Sequence, residues 1–179
     1  TGCGAVDITM HTLERFFDIG DHTDLTDAIA CAVMRENNKA GKKCIEDPTD
    51  YNARATMMWA SSLAHNDLTG LGRHKFLQLH QFEHPLSGMY PEIAHGAGLS
   101  ALWPAWARYN MPYNKTRWGK FAHDVWDVDV DSDHPEIGAS KAIDMQVDYY
   151  RSIGMPVTLR ELSDKITEND LVTLADIVS

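Results

Sequence analysis

Cysteine is scarce: only Cys3, Cys31 and Cys44 occur among 179 residues, far apart and without a Cys-x-x-Cys pair. That pattern argues against a disulfide framework and a thiolate zinc site, and makes a reducing cytoplasm the expected location. Long apolar runs are missing too. No stretch reaches the roughly 18 apolar residues that a membrane span needs, and the N-terminus lacks the basic and apolar regions of a secretion signal. Positive charge is also short, with 16 lysines and arginines against 26 aspartates and glutamates and a formal net charge of −10. Such a chain repels polyanions, and its one basic cluster, Lys39, Lys42 and Lys43, reads as a solvated helix face. Nucleic acid and anionic membranes are therefore not expected partners. Strand alternation is absent, and Gly70-Leu71-Gly72 completes no dinucleotide fingerprint and reads as a turn. A chain that starts Thr1-Gly2, without Met, is expected to be a fragment.

What the chain does have is helical periodicity. Val6, Met10, Leu13 and Phe17 recur at three- and four-residue spacing and predict a helix over 5–18, with Gly20 as its stop signal. Leu25, Ile29 and Val33 predict a second helix over 24–38. A third, from Tyr51 to about Asn66, follows the break at Asp47-Pro48-Thr49-Asp50. A fourth is expected over 74–84, ended or kinked by Pro85. The run from Ala97 to about Tyr109 is apolar around most of its circumference and belongs in the interior, bent at Pro104. Segments 115–126, 135–153, 158–163 and 168–178 complete the pattern. The expectation is a single all-α domain, residues 1–179, of eight or nine helices. A chain of this length buries roughly two-thirds of its extended surface and needs no staples.

Histidines concentrate between Leu79 and Gly98. On a helix His80 and His84 share one face, and His95 returns after a turn marked by Gly88 and Pro91. Imidazole suits both metal ligation and proton transfer near neutral pH. Upstream, Asp7-x-x-x-His11 places a carboxylate and an imidazole one helical turn apart, with Cβ atoms about 5–6 Å from each other. Asp7, His11, His80 and His95 would make a three-nitrogen, one-oxygen donor set suited to Zn2+ or Fe2+ and unsuited to the oxygen preference of Mg2+ or Ca2+. His84 would then face whatever occupies the remaining position. The competing reading is a group of core imidazoles satisfied by backbone carbonyls. Phe82, Leu86 and Trp103 are apolar candidates for the alkyl side of such a site. Two other clusters carry less: Asp127-x-Asp129-x-Asp131 lacks the glycine and glutamate of a calcium loop, and His123-Asp124 lacks a ligand series around it.

His80-x-x-x-His84-Pro85-Leu86-Ser87-Gly88, then His95-Gly96-Ala97-Gly98, with Asp7-x-x-x-His11 upstream, resembles the metal-binding pattern of the iron-containing alcohol dehydrogenase family, in its butanol-dehydrogenase-like branch. Glu46 to Ala55 and Trp59 to Asn66 read like that branch as well, so the resemblance spans essentially the whole chain. It implies that Asp7, His11, His80 and His95 are the metal ligands and that His84 lies beside the metal near the nicotinamide. It further implies reduction of small aldehydes, or oxidation of primary alcohols such as butanol, with NAD(H) or NADP(H). The family joins an N-terminal nucleotide-binding α/β domain to an all-helical metal domain, and this chain resembles the second alone. The His80–His95 spacing is one residue longer than the family pattern, a difference the turn from Met89 to Ala94 can absorb. The C-terminus also reads as short, and a homodimer is among the expected assemblies. The rival class is a non-catalytic helical metal-binding or interaction module. A helical metal phosphohydrolase, built around His123-Asp124, is the less favoured third.

Overall fold

The periodicity of the first segment winds into α1 (Gly2–Phe17) in the computed structural model, which describes residues 1–18, 20–74 and 76–178. Its buried positions extend well beyond the Val6–Met10–Leu13 stripe to Ala5, Thr9 and Glu14. The cause is that α2 (Asp24–Glu46), α3 (Tyr51–His65) and α5 (His95–Asn110) all pack on it. A helix covered on so much of its circumference is the axis of the fold. Against α5 lie α4 (Gln78–Met89) and α7 (Pro135–Ser152), while α6 (Lys115–Trp126) joins α7 to α2. The short α8 (Leu159–Leu162) rests on α5, and α9 (Glu168–Val178) on α4. Among the described residues these nine α-helices and two 3-10 turns, Leu68–Gly70 and Met111–Tyr113, are accompanied by one isolated antiparallel bridge, Gly20 to Arg73. The all-α expectation holds.

Several helix ends sit where the sequence predicts them, because side chains cap them. Asp50 accepts from the amide of Ala53 at 2.9 Å and starts α3, and Asn114 accepts from Arg117 at 3.2 Å and starts α6. Two helices depart furthest from their expected bounds. Helix α2 runs on past Asn38 to Glu46, since Ala40, Gly41 and Cys44 continue its buried stripe. Helix α4 starts later than predicted and passes through Pro85 to Met89, with Leu86 fully buried and the Tyr90 amide bonded to the Leu86 carbonyl at 2.9 Å. Proline removes one intrahelical bond, to the carbonyl of Gln81, and Gln81 is exposed to water that can take its place. Packing of the following turn outweighs the loss.

The core gathers rings from successive helices: Trp103 of α5 lies 6.4 Å from Trp118 of α6 and 5.8 Å from Tyr150 of α7, centroid to centroid. Trp103 and Leu86 are fully buried, which corrects their assignment to an alkyl-binding wall; Phe82 alone of the three keeps partial exposure. At the C-terminal end of α1 a second anchor is ionic. Asp27 of α2 takes a two-pronged contact from Arg117, both bonds 2.8 Å, and a further one from Arg73. The two guanidinium groups also donate to the terminal carbonyl of Phe16, and Arg117 lies 4.0 Å over the Phe16 ring. Orphan carbonyls at the end of α1 are thereby satisfied by cations, the charge that a helix C-terminus favours. Asp27→Ala leaves two guanidinium groups without their carboxylate, and is expected to lower the unfolding free energy by about 3–5 kcal/mol. Urea unfolding followed by circular dichroism checks this, and a loss under about 1 kcal/mol would remove the anchor from the account.

Candidate metal centre

Asp7 and His11 stand one turn apart on α1, His80 lies in the first turn of α4, and His95 is the first residue of α5. Three helices thus deliver these four side chains to one place. Asp7 Oδ1 lies 3.4 Å from His80 Nε2, 3.5 Å from His95 Nε2 and 3.6 Å from His11 Nε2. Donor atoms sharing one tetrahedrally held ion, with bonds of about 2.0–2.1 Å, lie about 3.3–3.4 Å apart, so each of the three Asp7–imidazole distances is close to that of two ligands on one divalent cation. His84 projects one turn beyond His80 and is exposed. Its ring is stacked near that of His95 at 5.5 Å and lies edge-on to that of His80 at 5.9 Å, so it borders the cluster without joining the Asp7 contacts.

Two carboxylates that the sequence reading passed over complete the arrangement. Glu14, one turn beyond His11 on α1, is buried and meets His80 Nδ1, while its other oxygen accepts from the amides of Leu79 and His80. Leu77, the residue preceding α4, offers no capping side chain, so Glu14 caps α4 from another helix and holds His80 by the same carboxylate. Glu83, fully buried on α4, meets His95 Nδ1 and accepts from the Ser87 hydroxyl. Close approach makes room for it. A Cβ on Gly98 would stand 2.9 Å from Glu83 Cγ, and one on Gly96 would run into the backbone of Cys3, so the Gly96-Ala97-Gly98 motif lets α5 start against both α1 and α4. A signal for these acids was present in the sequence: Asp7, His11 and Glu14 follow i, i+4, i+7, and Glu83 stands three residues after His80 on a face otherwise turned to the core.

Three carboxylates around three imidazoles call for positive charge at the centre. Hydrogen bonds from His80 and His95 outweigh burial and hold the Asp7 carboxyl well below the usual carboxylate range. Burial works against a charged His80, yet its bonds to Asp7 and Glu14 raise it; bonds to Asp7 and Glu83 push His95 up to about 10. Burial, aided by the neighbouring His80, pushes His11 down to about 4 and favours the neutral form that ligates. Imidazole held by a buried carboxylate at Nδ1 presents the Nε2 lone pair outward, the usual preparation for a metal ligand. The donor set therefore fits a divalent transition metal.

The remaining clusters resolve as structure. His123 and Lys120 both pair with Asp124 on the outer face of α6, and among the described residues no third ligand joins His123 and Asp124. Asp127 takes a left-handed conformation, φ 54°, at the end of α6, and Asp131 accepts from the amide of Asp133. All three cysteines are free. No helix of the described residues is long and apolar enough to cross a membrane.

Comparison with known proteins gives the family. The profile of the Fe-containing alcohol dehydrogenase family, C-terminal, matches residues 1–179. NADH-dependent butanol dehydrogenase A of Clostridium acetobutylicum is 41% identical over 165 residues, covering 90% of this chain and 41% of that protein. NADH-dependent butanol dehydrogenase B of the same organism is 35% identical over 96% of this chain and 44% of its own length. The crystal structure of NADH-dependent butanol dehydrogenase A from Thermotoga maritima superposes with a TM-score of 0.89 at 34% identity, over 99% of this chain and 43% of that one. The chain spans about two-fifths of the length of the relatives it matches. With the profile matched from end to end and the helices superposing throughout, the chain belongs to the Fe-containing alcohol dehydrogenase family, as its C-terminal part.

Proposed function

We propose that the chain is the metal-binding half of an alcohol dehydrogenase that moves a hydride between NAD(P)(H) and a small aldehyde or primary alcohol, with butanal and butanol as the leading pair. The observation that carries this reading is the convergence of three Nε2 atoms on one Asp7 oxygen at 3.4–3.6 Å. The relatives named above carry NADH and butanol in their names, and an Escherichia coli relative, 27% identical over 88% of this chain, is named an NADPH-dependent aldehyde reductase. Asp7, His11, His80 and His95 would hold a divalent ion, Fe2+ or Zn2+. Once bound, the ion supplies Lewis acidity toward the substrate oxygen. Glu14 and Glu83 hold Nδ1 of His80 and His95, so that Nε2 of each, freed of its proton, is the nitrogen that would ligate the ion. The nicotinamide is bound mainly by an N-terminal nucleotide-binding domain of the longer parent.

His84 has a separate task. Reduction of the carbonyl ends with a proton added to the substrate oxygen, and oxidation begins with its loss. An exposed imidazole bordering the cluster exchanges that proton between the substrate oxygen and water through a ring nitrogen. His84→Ala in the full-length parent is expected to keep about one metal per chain while kcat for NADH-dependent butanal reduction falls by about 10²-fold. Elemental analysis beside steady-state kinetics tests this. Metal loss equal to that of His80→Ala would show that the histidines have been divided wrongly.

A further inference from the structure

Of the three clustered imidazoles, His11 alone lacks a clamp. Glu14 meets Nδ1 of His80 and Glu83 meets Nδ1 of His95, whereas Nδ1 of His11 is buried without a hydrogen-bond partner. Two rings pack on it instead. His80 lies 4.2 Å away, centroid to centroid, and His65, from the last turn of α3, lies 4.4 Å away at an interplanar angle of 50°. Arg15 sets the position of that second ring. Its Nη1 donates to the carbonyls of His11 and Ala64, both at 2.9 Å, and so ties the end of α3 to α1 at the height of His11. Among the described residues no hydrogen bond or ion pair holds the His65 imidazole itself, which is exposed at the rim.

We propose that His65 is a positioning residue for His11: its ring holds the His11 imidazole so that Nε2 faces Asp7, a part that Glu14 and Glu83 play through hydrogen bonds for His80 and His95. The inference rests on reading Asp7, His11, His80 and His95 as metal ligands. The torsion that turns an imidazole about its Cβ–Cγ bond is broad, and without a partner at Nδ1 only packing restrains it. A ring at 4.4 Å supplies that restraint through aromatic contact, with no need of its nitrogens.

Titration of the chelator-stripped 179-residue chain with Co2+, whose visible absorption reports coordination geometry, tests the assignment. His65→Ala is expected to bind Co2+ about 10-fold more weakly and to shift the absorption band, in line with the effect of losing a group that orients a ligand. His65→Phe, which keeps a ring and removes both nitrogens, is expected to restore affinity and band; His65→Gln is not. An unchanged His65→Ala, or rescue by Gln in place of Phe, overturns the proposal. So does an equal fall in thermal midpoint for the Ala and Phe variants that accounts for the weaker binding. Failure of the underlying reading looks different: wild type that takes up no Co2+, or His80→Ala that binds it as tightly as wild type, removes the ligand assignment and this inference with it.

Discussion

His80→Ala should empty the centre: metal content of the full-length parent is expected to fall from about one per chain to background, and NADH-dependent butanal reduction by about 10³-fold or more. The magnitude follows from losing several kcal/mol of charge stabilisation at the substrate oxygen, at about 1.4 kcal/mol per factor of ten. His95→Ala should do the same. Both substitutions also strip a buried carboxylate of its partner, Glu14 in one case and Glu83 in the other, so a folding defect must be separated from a metal defect. His80→Gln keeps a polar group beside Glu14 and is expected to lose metal as completely while retaining more of the thermal stability. Elemental analysis, kinetics and thermal unfolding of the three variants give the comparison. Full occupancy in both alanine variants would sink the ligand assignment.

The 179-residue chain by itself is expected to fold, to bind a divalent metal, and to show under about a thousandth of the parent's NADH-dependent turnover of butanal. Its core supports the first expectation, since α1 is enclosed by α2, α3 and α5 within this chain. The third follows from what hydride transfer requires. Donor and acceptor must be held together, and positioning of that kind is worth many powers of ten in rate. The relatives are more than twice the length of the matched part, and the remainder is where we place the nicotinamide site. The decisive measurement compares chain and parent at equal metal saturation. Comparable rates would falsify the assignment of the cofactor to the N-terminal part.

Local rules account for much of what the sequence reveals. Helices α3, α6 and α9 lie where periodicity and capping residues put them, because hydrogen bonds of an α-helix and an Asp or Asn cap involve residues only a few positions apart. The pairing of Asp7 with His11 is of the same kind. The motif around His80 and His95 indicated the family, and the profile match agrees. Glu14 and Glu83 escaped notice because an acid on a helix is usually solvated. Their spacing puts them on the faces of the ligand-type residues, but their burial, which sets their role, is not a local property.

What the sequence by itself determined, then, is the all-α class, the types of donor available and the four-residue spacings that put them on common helix faces. The tertiary structure decided the rest through contacts between distant residues. Asp7 meets His80 across 73 positions and Glu14 meets it across 66. The start of α4 is set by a carboxylate on α1, since Leu77 has no side chain able to cap it. Packing of Leu86 carries α4 past Pro85, against the local preference of proline. That one histidine of the His80/His84 pair faces Asp7 while the other stays in water depends on how α4 and α5 lie against α1. Helical periodicity fixes which side chains share a face, and only packing fixes where that face points.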